Sequence, residues 1–215
     1  MTMQLILIRH GLTEFNRARI FQGQSDSRLT EEGLSQARLL APRIRALTTS
    51  PRLYTSDLGR CRQTAELIRD PDHHELIEVT GLRERGYGLF EGLRKEDIPG
   101  LHPEVWSRYE SGDPDYAVPG GESERAFRQR AVEAVEAIAD RHPGELVVAV
   151  THGGVLSSFA CHVLGLPIFD GPVPFEVGNT SFSRFLRDDG GRWTVRCLGD
   201  QGHLGDPSAA EVGEG

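Results

Sequence analysis

The stretch Met3-Gln4-Leu5-Ile6-Leu7-Ile8-Arg9-His10-Gly11 is a short apolar run that breaks off at an arginine, a histidine and a glycine. Its length fits a strand, and the lack of polar alternation predicts burial on both faces, as in a parallel sheet covered by helices on either side. Residues at the C-terminal end of such a strand stand where α/β proteins hold their ligands. A second apolar run, residues 145–150, ends alike in Thr151-His152-Gly153-Gly154. One His-Gly pair by itself more often marks a surface turn. Two at the ends of parallel strands can meet in space. A glycine beside each lets a ligand come close to the backbone, and helix N-terminal amides nearby favour an anion.

The segments between and beyond these strands alternate. Residues 31–47 place Leu34, Ala37, Ala41, Ile44 and Leu47 at helical spacing, with Thr30 as N-cap and Glu31 and Glu32 in the first turn. Pro42 is expected to kink or interrupt that helix. Residues 52–56 read as a strand, and 57–69 as a helix burying Leu58, Cys61, Ala65 and Ile68, with Arg60 in its first turn and within reach of the same crevice. Residues 75–79 are a third strand. A Gly- and Pro-rich stretch follows, with no sustained period except at 103–109, and residues 85–121 are expected to form an excursion over the site. Ser123 caps a helix to about Arg141 with Phe127, Ala131, Val135 and Ile138 in one stripe. An apolar helix runs from Gly154 through Leu164, and residues 181–187 and 192–198, joined by Asp188-Asp189-Gly190-Gly191, read as a hairpin. The expected fold is α/β, a mostly parallel central sheet flanked by helices on both faces. A single domain is expected over residues 1–204, with a disordered tail at 205–215.

At 215 residues one core suffices without disulfides or a structural metal, and the three cysteines, Cys61, Cys161 and Cys197, show no CxxC spacing. A reducing cytoplasm fits. A net charge of -8 speaks against nucleic acid as a partner, and the first apolar run is too short for a membrane span. Lys95 is the only lysine, so an anionic ligand would be met by arginine, whose planar fork matches phosphate and carboxylate oxygens.

Arg9-His10-Gly11, Gln22-Gly23-Gln24-Ser25-Asp26 with Leu29-Thr30 and Gly33, Ser56-Asp57-Leu58-Gly59-Arg60 with Gln63-Thr64-Ala65-Glu66, Leu82-Arg83-Glu84, Gly120-Gly121-Glu122-Ser123 and Thr151-His152-Gly153 occur in that order. Together they resemble the histidine phosphatase superfamily, also called phosphoglycerate mutase-like, from about Leu5 to Leu204. The resemblance implies that His10 is the nucleophile, attacking phosphorus in line to give a phosphohistidine, with Arg9, Arg60 and His152 around the transferred group. Two guanidiniums and an imidazolium at His152 would supply the charge that spreads over the phosphoryl oxygens, so neither metal nor other cofactor is expected. Glu84 matches the proton donor to the leaving oxygen. Asn16, Gln22 and Gly23 match pocket positions, and Gly11 and Gly153 sit beside the two histidines. Thr13 stands where many members carry Glu or another polar group and is given no catalytic role.

Within that resemblance two activities compete. Glu84-Arg85-Gly86-Tyr87-Gly88 followed by Gly92-Leu93-Arg94-Lys95 resembles the mutase pattern, Lys95 facing a substrate carboxylate, but Gly86 stands where mutases carry a histidine. Trp106-Ser107-Arg108 offers one arginine where mutases carry an adjacent pair. Pro119-Gly120-Gly121-Glu122-Ser123 and the compact length resemble the cofactor-independent phosphatases more closely. The favoured expectation is a metal-independent phosphomonoesterase acting on a small phosphorylated metabolite, with Arg85, Tyr87, Lys95 and Arg108 as further substrate contacts to a carboxylate or sugar acid. A mutase is the alternative, and a non-catalytic phospho-ligand binding module, which would need neither nucleophile nor acid, is the second. A homodimer is allowed for.

Overall fold

The computed structural model describes residues 2–47, 52–167 and 175–205; the expected disordered tail, past residue 205, lies outside them. Its strands are β1 (Met3–Arg9), β2 (Arg52–Thr55), β3 (Glu75–Glu78), β4 (Leu146–Thr151), β5 (Phe182–Arg187) and β6 (Trp193–Asp200). They form one sheet in the order β3-β2-β4-β1-β5-β6. The first four in that order are parallel, and the β5–β6 hairpin adds to β1 antiparallel. The helices are α1 (Glu14–Arg17), α2 (Glu31–Leu47), α3 (Gly59–Ile68), α4 (Ile98–Leu101), α5 (Pro103–Glu110), α6 (Glu124–Asp140) and α7 (Gly153–Val163).

The apolar runs of β1 and β4 are buried on both faces because their residues alternate between two cores. Leu5, Leu7, Val147 and Ala149 pack with Phe127, Ala131 and Val135 of α6 and Leu156 and Phe159 of α7. Ile6, Ile8, Val148 and Val150 pack with Leu40 and Ile44 of α2 and Cys61, Ala65 and Ile68 of α3. Each large aliphatic side chain buried this way is worth about 1.5–3 kcal/mol, and a slip of one residue would exchange the two faces, so packing sets the register. That register pairs Ile8 with Val150 and Arg9 with Thr151. His10 and His152, the next residue on each strand, therefore leave the sheet side by side, and the His10 N–H donates to the Thr151 carbonyl at 2.9 Å.

One expectation needs correction. α2 runs through Pro42 without a break. Pro42 and the residue one turn earlier, Arg38, both lie on the exposed face, so the carbonyl that loses its donor can turn to water. The stretch 85–121 is better organised than its lack of period suggests: Phe90, Ile98, Trp106 and Val118 form a third, small core with Phe21, Tyr87 and Tyr109 packed on it. Edge-on aromatic contacts, such as Phe90 to Tyr109 at 5.5 Å, hold it together around the short helices α4 and α5.

Candidate active site

His10 is buried, and its Nδ1 lies 2.8 Å from the Gly11 carbonyl oxygen. A carbonyl only accepts, so Nδ1 carries the ring hydrogen and Nε2 keeps its lone pair. Among the described residues nothing bonds to that nitrogen. Burial first, then the charges of Arg60 and Arg9, push the His10 pKa well below its ordinary 6.5, so the ring is neutral at pH 7. His152 lies edge-on to it with ring centroids 5.2 Å apart. Arg60 Nε donates to His152 Nδ1 at 3.2 Å, which leaves the His152 hydrogen on Nε2, where it donates to Ser56 Oγ at 2.9 Å. Burial, then Arg60 and His10, lower its pKa well below the ordinary value too. Two arginines against a buried imidazole thus work against the imidazolium expected at His152.

The guanidinium of Arg60 is itself buried and donates to the carbonyls of Gly23 (2.7 Å) and Ser25 (2.9 Å). Arg9 donates through NH1 to the Val177 carbonyl at 2.7 Å, while its Nε is a buried donor with no acceptor. Such an orphan calls for a ligand oxygen. Beside it a cavity of about 430 Å³ is lined by Arg9, Glu84, Gly153, Gly154, Glu176, Val177 and Gly178. The Glu84 carboxylate accepts from the Arg85 N–H at 2.8 Å and from the Gly154 N–H, in the first turn of α7, at 3.0 Å. Gly154 has to be a glycine for this: a Cβ there would stand 2.1 Å from Glu84 Oε1 and 3.0 Å from the Phe127 ring.

The loop after β1 is tied to this centre by Gln22 and Asn16, two of the expected pocket residues, and by Thr13 and Asn179, for which the sequence suggests no role. With its amide oriented to satisfy both ends, Gln22 accepts from Arg60 NH1 at 2.9 Å and donates to Thr13 Oγ1 at 2.8 Å. Thr13 Oγ1 donates to Asn16 Oδ1 at 2.9 Å, and Asn179 Nδ2 donates to the His10 carbonyl at 3.0 Å. Thr13 thus positions Asn16 and Gln22, and its Thr-x-x-Asn capping pattern was the available signal. Asp26 caps α3 from across the chain, accepting from the Gly59 N–H at 2.7 Å, because Leu58 at the N-cap has no side-chain oxygen. Glu91 accepts from the backbone N–H groups of Gln24 (3.0 Å), Ser25 (3.0 Å) and Tyr87 (2.9 Å). No local signal marks Asp26 or Glu91, since their partners are distant in sequence.

The other expected contacts divide. Gly153 lines the cavity, but the buried N–H of Gly11 is spent on Thr64 Oγ1 at 3.0 Å. Arg85 is buried and engaged with Glu124 (2.8 Å) and the Glu122 carbonyl (3.0 Å), with Tyr87 against its guanidinium. Burial, then the nearby Glu84, raises the Tyr87 pKa, so the phenol is neutral. The cavity lining includes none of the buried His10, Arg60 and His152, nor Lys95 and Arg108; the last two are exposed, Arg108 lying over the Tyr116 ring at 4.4 Å. Among the described residues no group of three or more His, Cys, Asp or Glu side chains is arranged to hold a metal ion, and no helix is long and apolar enough to cross a membrane.

Residues 5–201 match the histidine phosphatase superfamily, branch 1. The chain belongs to that superfamily. Within it, the chain is 41% identical over 204 residues to the metal-independent phosphoserine phosphatase of Arabidopsis thaliana, covering 94% of this chain and 83% of that one. It is 36% identical to the probable phosphoglycerate mutase GpmB of Cronobacter sakazakii, covering 98% of this chain and 99% of that protein. The solved structure of Bacillus stearothermophilus YhfR superposes with a TM-score of 0.87 at 35% identity, covering 94% of this chain and 99% of YhfR. Superfamily membership and these relatives support a phosphatase or mutase activity.

Proposed function

We propose that this histidine phosphatase superfamily member is a metal-independent phosphomonoesterase that hydrolyses a small phosphorylated metabolite through a phosphohistidine at His10. The observation that carries the reading is the neutral His10 ring, its Nε2 lone pair free, beside the buried guanidinium of Arg60 and the half-buried one of Arg9, whose Nε is buried. Nε2 attacks phosphorus in line, and the P–O bond to the leaving group breaks as the P–N bond forms. Glu84 gives its proton to the leaving oxygen, then takes one from the water that cleaves the phosphohistidine. Arg9, through its unpartnered Nε, and Arg60 stabilise the charge on the equatorial oxygens, each such donor being worth about 3 kcal/mol of barrier.

Hydrolysis is favoured over mutase chemistry because the further cations the sequence offers for a phosphoglycerate carboxylate are engaged elsewhere or exposed. Arg85 is spent on Glu124, and Lys95 and Arg108 face solvent. The test is alkaline quench of the enzyme mixed with phosphoserine, 3-phosphoglycerate and other phosphorylated metabolites, read for an acid-labile phosphoryl group on His10 and for free phosphate. Release of phosphate without a priming bisphosphate, unaffected by chelator, is expected. Faster interconversion of 3- and 2-phosphoglycerate in the presence of 2,3-bisphosphoglycerate would make the enzyme a mutase.

A further inference from the structure

The segment that presents Glu84 is not a strand or a helix, so its backbone hydrogen bonds must be found elsewhere. Residues 80–82 form a single 3-10 turn, and the chain from Arg83 to Tyr87 has no ladder partner. Three of its carbonyls turn to one side chain on α6. Arg130 NH1 donates to the carbonyls of Gly81 and Arg83, both at 3.0 Å, and NH2 donates to the carbonyl of Glu84 at 3.2 Å. The remaining hydrogens go to Glu122, from Nε to Oε1 at 2.8 Å and from NH2 to Oε2 at 2.7 Å. Every N–H of the guanidinium is used, which only arginine's fork can do. Glu122 closes the loop from the other side, its Oε2 also accepting from the Gly86 N–H at 2.9 Å and from Gln24 Nε2 at 3.3 Å. Burial works to raise the Glu122 pKa, and Arg130 and the Gly86 N–H more than offset it, so the carboxylate is ionised and the pair is charged.

We propose that Arg130, paired with Glu122, is a positioning residue for Glu84: it holds the backbone on both sides of that residue so that the carboxyl meets the Gly154 N–H and the cavity. The inference rests on the proposed role of Glu84 as proton donor. A proton donor displaced by about 1 Å loses one to two orders of magnitude in rate, and the loss falls on substrates whose leaving group needs the proton.

The experiment compares an alkyl phosphate with an activated aryl phosphate in wild type and in Arg130→Lys, Glu122→Gln and Glu84→Gln. Lysine keeps the charge and the reach but cannot serve three carbonyls and a carboxylate at once. Arg130→Lys is expected to lower kcat on the alkyl phosphate by about tenfold to a hundredfold, with loss on the aryl phosphate under about threefold and KM little changed, the same selectivity as Glu84→Gln. Equal losses on both substrates, or none, would overturn the proposal, since a merely structural role has no reason to sort leaving groups. If Arg130→Lys does not fold, the same comparison in Glu122→Gln decides, and failure of both to fold would assign the pair to the fold alone and overturn it. Failure of the proton-donor reading shows separately, as absence of leaving-group selectivity in Glu84→Gln itself.

Discussion

His142, in the turn that leads into β4, and His10, at the far end of neighbouring β1, are both buried. His142 is bonded on each ring nitrogen, Nε2 to the Tyr54 hydroxyl at 2.8 Å and Nδ1 to Glu145 at 3.0 Å. His10 is bonded on Nδ1 only and is surrounded by arginines instead of a carboxylate. The residue type and depth are the same, and the difference lies in what the second nitrogen meets. A satisfied histidine holds structure together; one with a free lone pair beside unspent donors is poised for chemistry.

The sharpest way to break this comparison is to remove each ring. His10→Ala is expected to cut kcat by about 10⁴-fold or more with the melting temperature near that of wild type; appreciable turnover would take the nucleophile's role from His10. Arg60→Lys should cost about 10²–10³-fold, because the planar fork beside His10 and His152 is lost. It should also melt lower, since the buried carbonyls of Gly23 and Ser25 lose their donors. Gly154→Ala is expected to lower turnover of an alkyl phosphate by about tenfold to a hundredfold by pushing the Glu84 carboxylate aside, with circular dichroism unchanged. At the other end of the sheet, His142→Phe should leave kcat within about twofold but reduce stability in urea by about 1–3 kcal/mol, because the Tyr54 hydroxyl is left buried without its partner. A large loss of activity there would erase the distinction between the two histidines.

The remaining effect is on pH. The folded-state pKa values of His10 and His152 are lowered, so below about 6.5 the unfolded chain takes up protons that the native state refuses. Both rings are neutral in either state above that pH, and no stability is lost there. As pH falls, each histidine is expected to cost up to about 1.4 kcal/mol per unit until its folded pKa is reached. Melting temperatures recorded from pH 7.5 to 5 should therefore decline, and decline less in a His10→Asn, His152→Asn double variant. An unchanged slope in that variant would mean that other groups govern acid sensitivity.

Much of the scaffold was legible because it rests on local pattern. The apolar runs before Arg9 and Thr151 could be buried on both faces only in a helix-covered parallel sheet, and the stripe through Phe127 and Val135 fixed α6. Pro42 misled because propensity knows nothing of which face of a helix meets water. The clamps around the site were illegible for a different reason. Asp26 on Gly59, Glu91 on Ser25 and Arg130 on Glu84 join residues far apart in the chain, and a carboxylate or arginine that will be half-buried looks, in sequence, like one that will be solvated.

The chain's order of residues by itself determined the strands, their flanking helices, the two His-Gly strand ends and hence the family, since each depends on short-range periodicity or on residue type. Only the tertiary structure decided where the His10 ring hydrogen lies, that two arginines work against charging His152, that Arg9 keeps an unspent donor and that Arg85 is engaged with Glu124. Those properties are set by burial and by the sum of nearby charges, and both come from segments far apart in the chain that the fold brings together.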